Sequence, residues 1–253
     1  MVKGLDVFRE YFEEFSGQYT LIGGAACDIS FEQNEVSFRA TRDLDIVLIV
    51  EAQTKEFGQR FWRFVQDGKY MRKAKSDGSP QFYRFEKPAE PGFPLMIELF
   101  ARSEWLLQGG ETLTPIHIDD SVSSLSAILL NDEYYEALLM GRDVVGGISI
   151  LKPTWLVPFK AKAWLEMAKK QENGEHVDSR DVKKHRNDIL RIVSELILEP
   201  CHLPEKVHDD MEEFCAKLTV TDEELENLKL KGIHEADIKK ILTETYGLNI
   251  NLS

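Results

Sequence analysis

The feature that most constrains this chain is a pair of aspartates at the head of an apolar run, Arg39-Ala40-Thr41-Arg42-Asp43-Leu44-Asp45-Ile46-Val47-Leu48. If Leu44 to Val50 is a strand, alternation sends Asp43 and Asp45 to one face and Leu44 and Ile46 to the other. Two carboxylates on one face of a buried strand are a ready site for a hard divalent cation. Upstream, the run Tyr19 to Ile22 leads into Gly23-Gly24 and then helix-prone Ala25-Ala26. At such a turn the backbone N–H groups of a helix N-terminus can approach a phosphate closely, because no side chain intervenes. Each feature has a plainer reading by itself. Two glycines after a strand also make an ordinary turn, and two spaced acids also make a solvent-wetted strand edge. Together they form a phosphate cradle beside metal carboxylates, which is the chemistry of nucleotide transfer.

The 253 residues allow one large domain or two modest ones. A hydrophobic content of 43% with 30% charged residues is that of a globular chain. No apolar run reaches the roughly 20 residues that span a bilayer, so no membrane partner is expected. The N-terminal Met1-Val2-Lys3-Gly4-Leu5-Asp6 has no apolar signal core. Cys27, Cys201 and Cys215 are odd in number and follow no metal-ligand spacing. These features fit a cytoplasmic location in which thiols stay reduced. The net charge of −13 argues against tight non-specific nucleic-acid binding by the whole surface. Residues 152–191 depart from it with a local excess of +4, which is also what a solvated helix face looks like.

In chain order, Leu5 to Phe15 reads as an amphipathic helix with Leu5, Phe8, Phe12 and Phe15 on one side. Tyr19 to Ile22 is a short strand, followed by a helix from Ala25 towards Phe31 and a polar stretch over 32–41. After the Asp43 strand, Thr54 is the N-cap candidate of a helix reaching Gln66. Tyr70 to Lys75 and Gln81 to Glu86 make a hairpin around Ser76-Asp77-Gly78-Ser79-Pro80. Pro94 to Phe100 is a further strand with Glu98 set into it. Short strands are expected around Ile116 and Ile148, with a helix from Asp132 to Met140. Beyond Lys152-Pro153 the pattern is helical: Thr154 to Gln171, Ser179 to Leu198, Pro204 to Leu218, Asp222 to Lys229 and Glu235 to Tyr246. Thr221 with Glu224 fits a capping box, and Gly247 a helix stop. The expected fold class is therefore α/β (α+β): a mixed sheet with flanking helices over residues 1–151, then a helical domain over 152–253. Phe61, Trp62, Phe64, Trp155 and Trp164 are expected in the core, and His202 and His208 on the surface.

Gly23-Gly24 followed by Asp43-x-Asp45 resembles the signature of the nucleotidyltransferase superfamily related to DNA polymerase beta. The fuller string Arg39-x-Thr41-x-Asp43-x-Asp45 is similar to the branch containing the abortive-infection toxins of type IV toxin–antitoxin systems. That branch also carries a lysine and then a Lys-Asp-x-x-Asp-Ile/Leu string in its helical half. Here Lys184-His185-Arg186-Asn187-Asp188-Ile189 matches except that His185 replaces the first acid, and Lys160 or Lys162 fits the earlier lysine. The resemblance runs from about residue 19 to 192. It departs at the interval from Gly24 to Asp43, which is longer than the superfamily usually shows. The intervening helix must then be extended or be followed by a loop.

The resemblance implies a nucleotidyltransferase-type fold and a Mg²⁺-dependent enzyme that moves a nucleoside monophosphate from an NTP to a hydroxyl acceptor. Asp43 and Asp45 are then metal ligands, and Glu98, in Ile97-Glu98-Leu99, is the candidate third ligand or general base. A plainer role for Glu98 is pairing with Arg102. Gly23, Gly24, Arg39 and Thr41 belong to the phosphate side. Lys184 contacts the triphosphate, and Asp188 orients Lys184 or the base and ribose. Four residues apart on a helix, those two also fit an ordinary surface ion pair. The acceptor classes are a tRNA end, a protein and a small molecule, and an antitoxin is the implied protein partner. The alternative is a degenerate nucleotide-binding domain that acts as a protein-interaction module.

Overall fold

The computed structural model describes residues 2–52, 54–74, 80–101 and 132–250, with the backbone alone at residue 50 and over 72–74 and 80–83. The expected strand around Ile116, the hairpin tip over 75–79 and Arg102 lie outside the described residues. Two compact units form: Met1–Val122 with Arg142–Lys152, and Ser123–Gly141 with Pro153–Ser253.

Among the described residues, the first unit is built on a seven-stranded mixed sheet. Its strands are β1 (Tyr19–Ile22), β2 (Asp43–Leu48), β3 (Met71–Ala74), β4 (Pro80–Glu86), β5 (Met96–Phe100), β6 (Arg142–Val145) and β7 (Ile148–Leu151). Their spatial order is β3-β4-β5-β2-β1-β7-β6. β2 runs parallel to β5 and β1 parallel to β7, while the other neighbours are antiparallel. Among the described residues, three helices accompany the sheet: α1 (Leu5–Phe12), α2 (Gly23–Gln33) and α3 (Lys55–Asp67). After α1 the chain tightens into one 3₁₀ turn, Glu13–Phe15, before Gly17. Thr54 caps α3 by accepting the Phe57 N–H at 3.2 Å.

Register assigns the two faces of the sheet. Tyr19 pairs with Leu48, Leu21 with Ile46, Leu44 with Ile97, and Ile97 with Phe85. Directly paired residues share a face, so these rows form one apolar surface. An aromatic core covers it: Phe12 lies 4.6 Å from Phe8, 5.7 Å from Phe57 and 5.3 Å from Phe64 between ring centroids. Phe61 of α3 reaches Phe85 at 5.6 Å. The opposite face carries Asp43, Asp45, Glu98 and Arg84, together with a buried Thr20–Ser149 hydroxyl pair 3.2 Å apart. One face is therefore apolar and packed on the aromatic core, whereas the other sets these polar groups beside the buried Ile22, Val47 and Phe100.

The second unit contains α4 (Asp132–Met140), α5 (Pro153–Glu172), α6 (Ser179–Glu195), α7 (Glu205–Lys217), α8 (Asp222–Asn227) and α9 (Glu235–Tyr246). Although α4 precedes the β6–β7 hairpin in the chain, it packs with the later helices. Tyr134 donates to Asp210 of α7 at 3.0 Å and meets Phe159 of α5 edge-on at 5.2 Å. The buried Asp210 carboxylate also receives Lys162 and Lys206, at 3.2 and 3.1 Å. Burial and this neighbouring carboxylate push the Tyr134 hydroxyl far above its ordinary pKa. Trp164 meets Phe214 edge-on at 5.4 Å. α6 ends at Glu195, earlier than its pattern suggested, because Leu196 turns extended ahead of Pro200. Thr221 and Glu224 form the reciprocal capping box, and Gly247 stops α9 in the left-handed conformation. Among the described residues, no helix is long and apolar enough to cross a membrane.

Candidate functional site

The polar face of the sheet gathers several of the residues singled out from the sequence. Asp43 and Asp45 open β2 and are both half-buried, while Leu44 and Ile46 between and beyond them are buried on the other face. β5 lies beside β2 with Asp45 in register with Glu98, so these two acids are direct cross-strand neighbours. Glu98 is 7% exposed. On its other side the antiparallel register sets Arg84 of β4 opposite Glu98. The Arg84 guanidinium bonds Glu98 through Nε and Nη2, both converging on Oε1. One row thus reads Arg84, Glu98, Asp45 across three strands. The sequence had offered Arg102 as the partner of Glu98. Arg84 went unnoticed because its relation to Glu98 depends on strand register, which the local pattern does not encode.

The glycine pair meets this row. β1 ends at Ile22, which pairs with Asp45, and α2 starts at once with Gly23 in the left-handed region at φ 64°. A Cβ added at Gly23 would collide with Asp45 Oδ2, and one at Gly24 would lie 2.5 Å from Thr41 Oγ1. A side chain at either position would therefore have to displace Asp45 or Thr41, and at Gly23 it would also strain the left-handed backbone. The first turn of α2 has no side-chain cap, so its orphan N–H groups begin next to the Asp45 carboxylate. Gly23, Gly24, Thr41, Asp45 and Glu98 thus come together, with Asp43 two residues along the same face.

The long interval before Asp43 is resolved by both expected devices. α2 runs eleven residues to Gln33, and a loop then returns the chain to β2. Within that loop Arg39 lies 5.2 Å above the Phe38 ring, and Phe38 packs on Phe31 of α2 at 4.7 Å. Asp28, Glu32, Glu35, Val36, Ser37 and Phe38 line a cavity of about 380 Å³, one and two helical turns beyond the glycines.

Lys184 and Asp188 belong to the second unit. Lys184 is exposed on α6. Asp188 is 1% exposed and accepts a hydrogen bond from Lys160 Nζ of α5 at 2.8 Å. The surface-pair reading is therefore replaced by a buried ion pair between two helices. Lys162, the other candidate for the earlier lysine, is engaged with Asp210. His208, Asp209 and Glu212 bring their ligand atoms within 4.8 Å of one another, a grouping the sequence spacing did not reveal. Two of them already secure the chain end, since His208 lies 3.3 Å from the Gly247 carbonyl and Glu212 accepts the Asn249 N–H at 2.8 Å.

No family model matches the chain, and no curated protein matches it. Among solved structures it is similar to an antigenic nucleotidyltransferase-like protein from Paracoccidioides brasiliensis, at 15% identity and a TM-score of 0.46. The match covers 90% of this chain and 93% of that one.

Two predictions follow from the geometry. Gly23→Ala is expected to cost about 1–2 kcal/mol from the left-handed backbone alone, with the displacement of Asp45 added. Gly17→Ala, at an open position with nothing within 4 Å, should stay within about 0.5 kcal/mol of the parent in urea denaturation. In the helical unit, Asp188→Ala breaks the buried Lys160–Asp188 pair and should cost about 3–5 kcal/mol. Lys184→Ala, on the exposed side of the same helix, should change stability by less than about 0.5 kcal/mol. Equal losses for these two variants, measured by the same method, would contradict the burial described here.

Proposed function

We propose that the chain is a metal-dependent nucleotidyltransferase that moves a nucleoside monophosphate from an NTP to a hydroxyl acceptor. One observation carries the reading: the uncapped N-terminus of α2, opened by two glycines, abuts Asp45, which is in register with Glu98. By their chemistry the oxygen donors Asp43, Asp45 and Glu98, which share one sheet face, suit a hard divalent cation such as Mg²⁺, although among the described residues only His208, Asp209 and Glu212 already hold three ligand atoms within 4.8 Å of one another. Asp43 and Asp45 would hold the metal, with Glu98 as third ligand or as general base. When bound, the metal neutralises charge on the α-phosphate and on the departing pyrophosphate.

The chain's own residues supply positioning, which is most of what phosphoryl-type transfer asks of a protein. The Gly23-Gly24 turn presents N–H groups to phosphate oxygens. Thr41 flanks that turn. Arg39 is assigned to the phosphate side on the resemblance of its string. The acceptor oxygen attacks the α-phosphorus, the bond to the β-phosphate breaks, and pyrophosphate leaves. The hydroxyl proton passes to a base, and Glu98 is the candidate for that role. For Lys184 as a triphosphate contact, the proposal rests on the sequence string alone. The acceptor is drawn from three classes: a tRNA end, a protein and a small molecule. A toxin role with a neutralising partner belongs to the same proposal and rests on the family resemblance.

The test is label transfer from each α-³²P-labelled NTP with Mg²⁺, offering total tRNA, cell protein and a small-molecule pool. The expected outcome is label in one pool, lost in the Asp43→Ala/Asp45→Ala double variant. Label in no pool, from a folded protein that also fails to bind NTP, would move the reading to a protein-interaction module.

A further inference from the structure

We propose that Arg84 is a positioning residue that holds the third acid in reserve, occupying Glu98 until a divalent cation takes its place. This inference rests on the metal-dependent reading above. Three carboxylates on one sheet face repel one another, and like charges directly across a strand pair are destabilising. The Asp45–Glu98 neighbours are such a pair. Arg84 offsets the repulsion, because register sets it opposite Glu98 on the strand away from Asp45. The Glu98 side chain is 9% exposed and that of Arg84 23%, so the pair is shielded from solvent more than a surface bridge is.

The bonding pattern makes this a placeholder rather than a lock. A fork-to-fork pair engages both carboxylate oxygens, one for each guanidinium nitrogen. Here the Nε hydrogen bond and the Nη2 ion pair both fall on Oε1. A cation entering beside Asp45 can engage Glu98 through Oε2 and then draw the carboxylate away from Arg84. Arg84 and the metal are consequently competitors for one carboxylate. Removing Arg84 deprives a buried acid of its counter-charge, and a divalent cation restores it. Loss of the arginine should therefore tighten metal binding, whereas a purely structural bridge predicts no gain.

The experiment measures Mn²⁺ binding to the full chain without nucleotide, reading free Mn²⁺ by electron paramagnetic resonance. Arg84→Met is expected to bind Mn²⁺ about fivefold more tightly than the parent. Arg84→Lys should restore parental affinity, and Arg84→Gln, a milder change for folding, should give an intermediate gain. In a Glu98→Gln background the effect of Arg84→Met should vanish. Unchanged or weaker binding by folded Arg84→Met and Arg84→Gln would overturn the proposal, as would a gain that persists without Glu98. Asp45→Asn separates the two levels. If parental Mn²⁺ affinity survives Asp45→Asn, or if no Mn²⁺ binds at all, the metal reading fails and the competition falls with it. If Asp45→Asn abolishes binding while Arg84→Met gains nothing, the role of Arg84 alone is lost.

Discussion

The close approach of the Gly23 backbone to the Asp45 carboxylate is the constraint on which the first unit depends. It fixes where β1 must end, because Ile22 is already paired with Asp45 and the next residue turns left-handed. It fixes where α2 must begin, since the helix has no side-chain cap and starts against the acid. It also fixes the register of β2, because a one-residue slip would exchange Asp45 for Leu44 or Ile46 and turn the apolar row to the wrong face. The aromatic core beneath the sheet supplies the rigidity this requires. Phe12, Phe61 and Phe64 are at most 1% exposed and hold α1 and α3 on the face opposite the acids.

Buried charge is handled in the same manner in both units, by pairing across elements distant in sequence. Glu98 is matched by Arg84 across a strand pair, Asp188 by Lys160 between two helices, and Asp210 by Lys162 and the Tyr134 hydroxyl from other helices, with Lys206 added from its own. A buried ion pair adds little net stability over an apolar replacement, but breaking one is expensive. Such pairs therefore specify which elements must adjoin more than they strengthen the contact. The Asp210 cluster illustrates this, since it binds α4 to helices that follow an intervening hairpin.

What the sequence revealed follows from which interactions are local. Strand and helix positions were legible because Leu44, Ile46 and Leu48 alternate and because Thr54, Thr221 and Gly247 act within one turn of themselves. The glycine–aspartate pattern was legible because it is read as a string. Arg84 was not, since its meaning depends on β4 lying against β5. Nor was the burial of Asp188, which looks like the surface partner of Lys184 until α5 is seen to carry Lys160 against it. The grouping of α4 with the C-terminal helices was hidden for the same reason, as Tyr134 and Asp210 are separated by 76 residues. The His208, Asp209 and Glu212 grouping lies within about one turn of α7 and went unnoticed because it follows no recognised metal-ligand spacing.

The central claim is that Asp45, held against the glycine turn, is the anchor of a metal–nucleotide site. It is tested most directly by thermal unfolding with and without Mg²⁺ and NTP, for the parent and for Asp45→Asn. At a hundredfold excess over its dissociation constant, a ligand that binds the native state alone stabilises it by about 2.7 kcal/mol. The account predicts a rise in melting temperature of several degrees for the parent and none for Asp45→Asn. A rise of the same size in Asp45→Asn would contradict it, because the nucleotide would then be held without the carboxylate around which this fold is built.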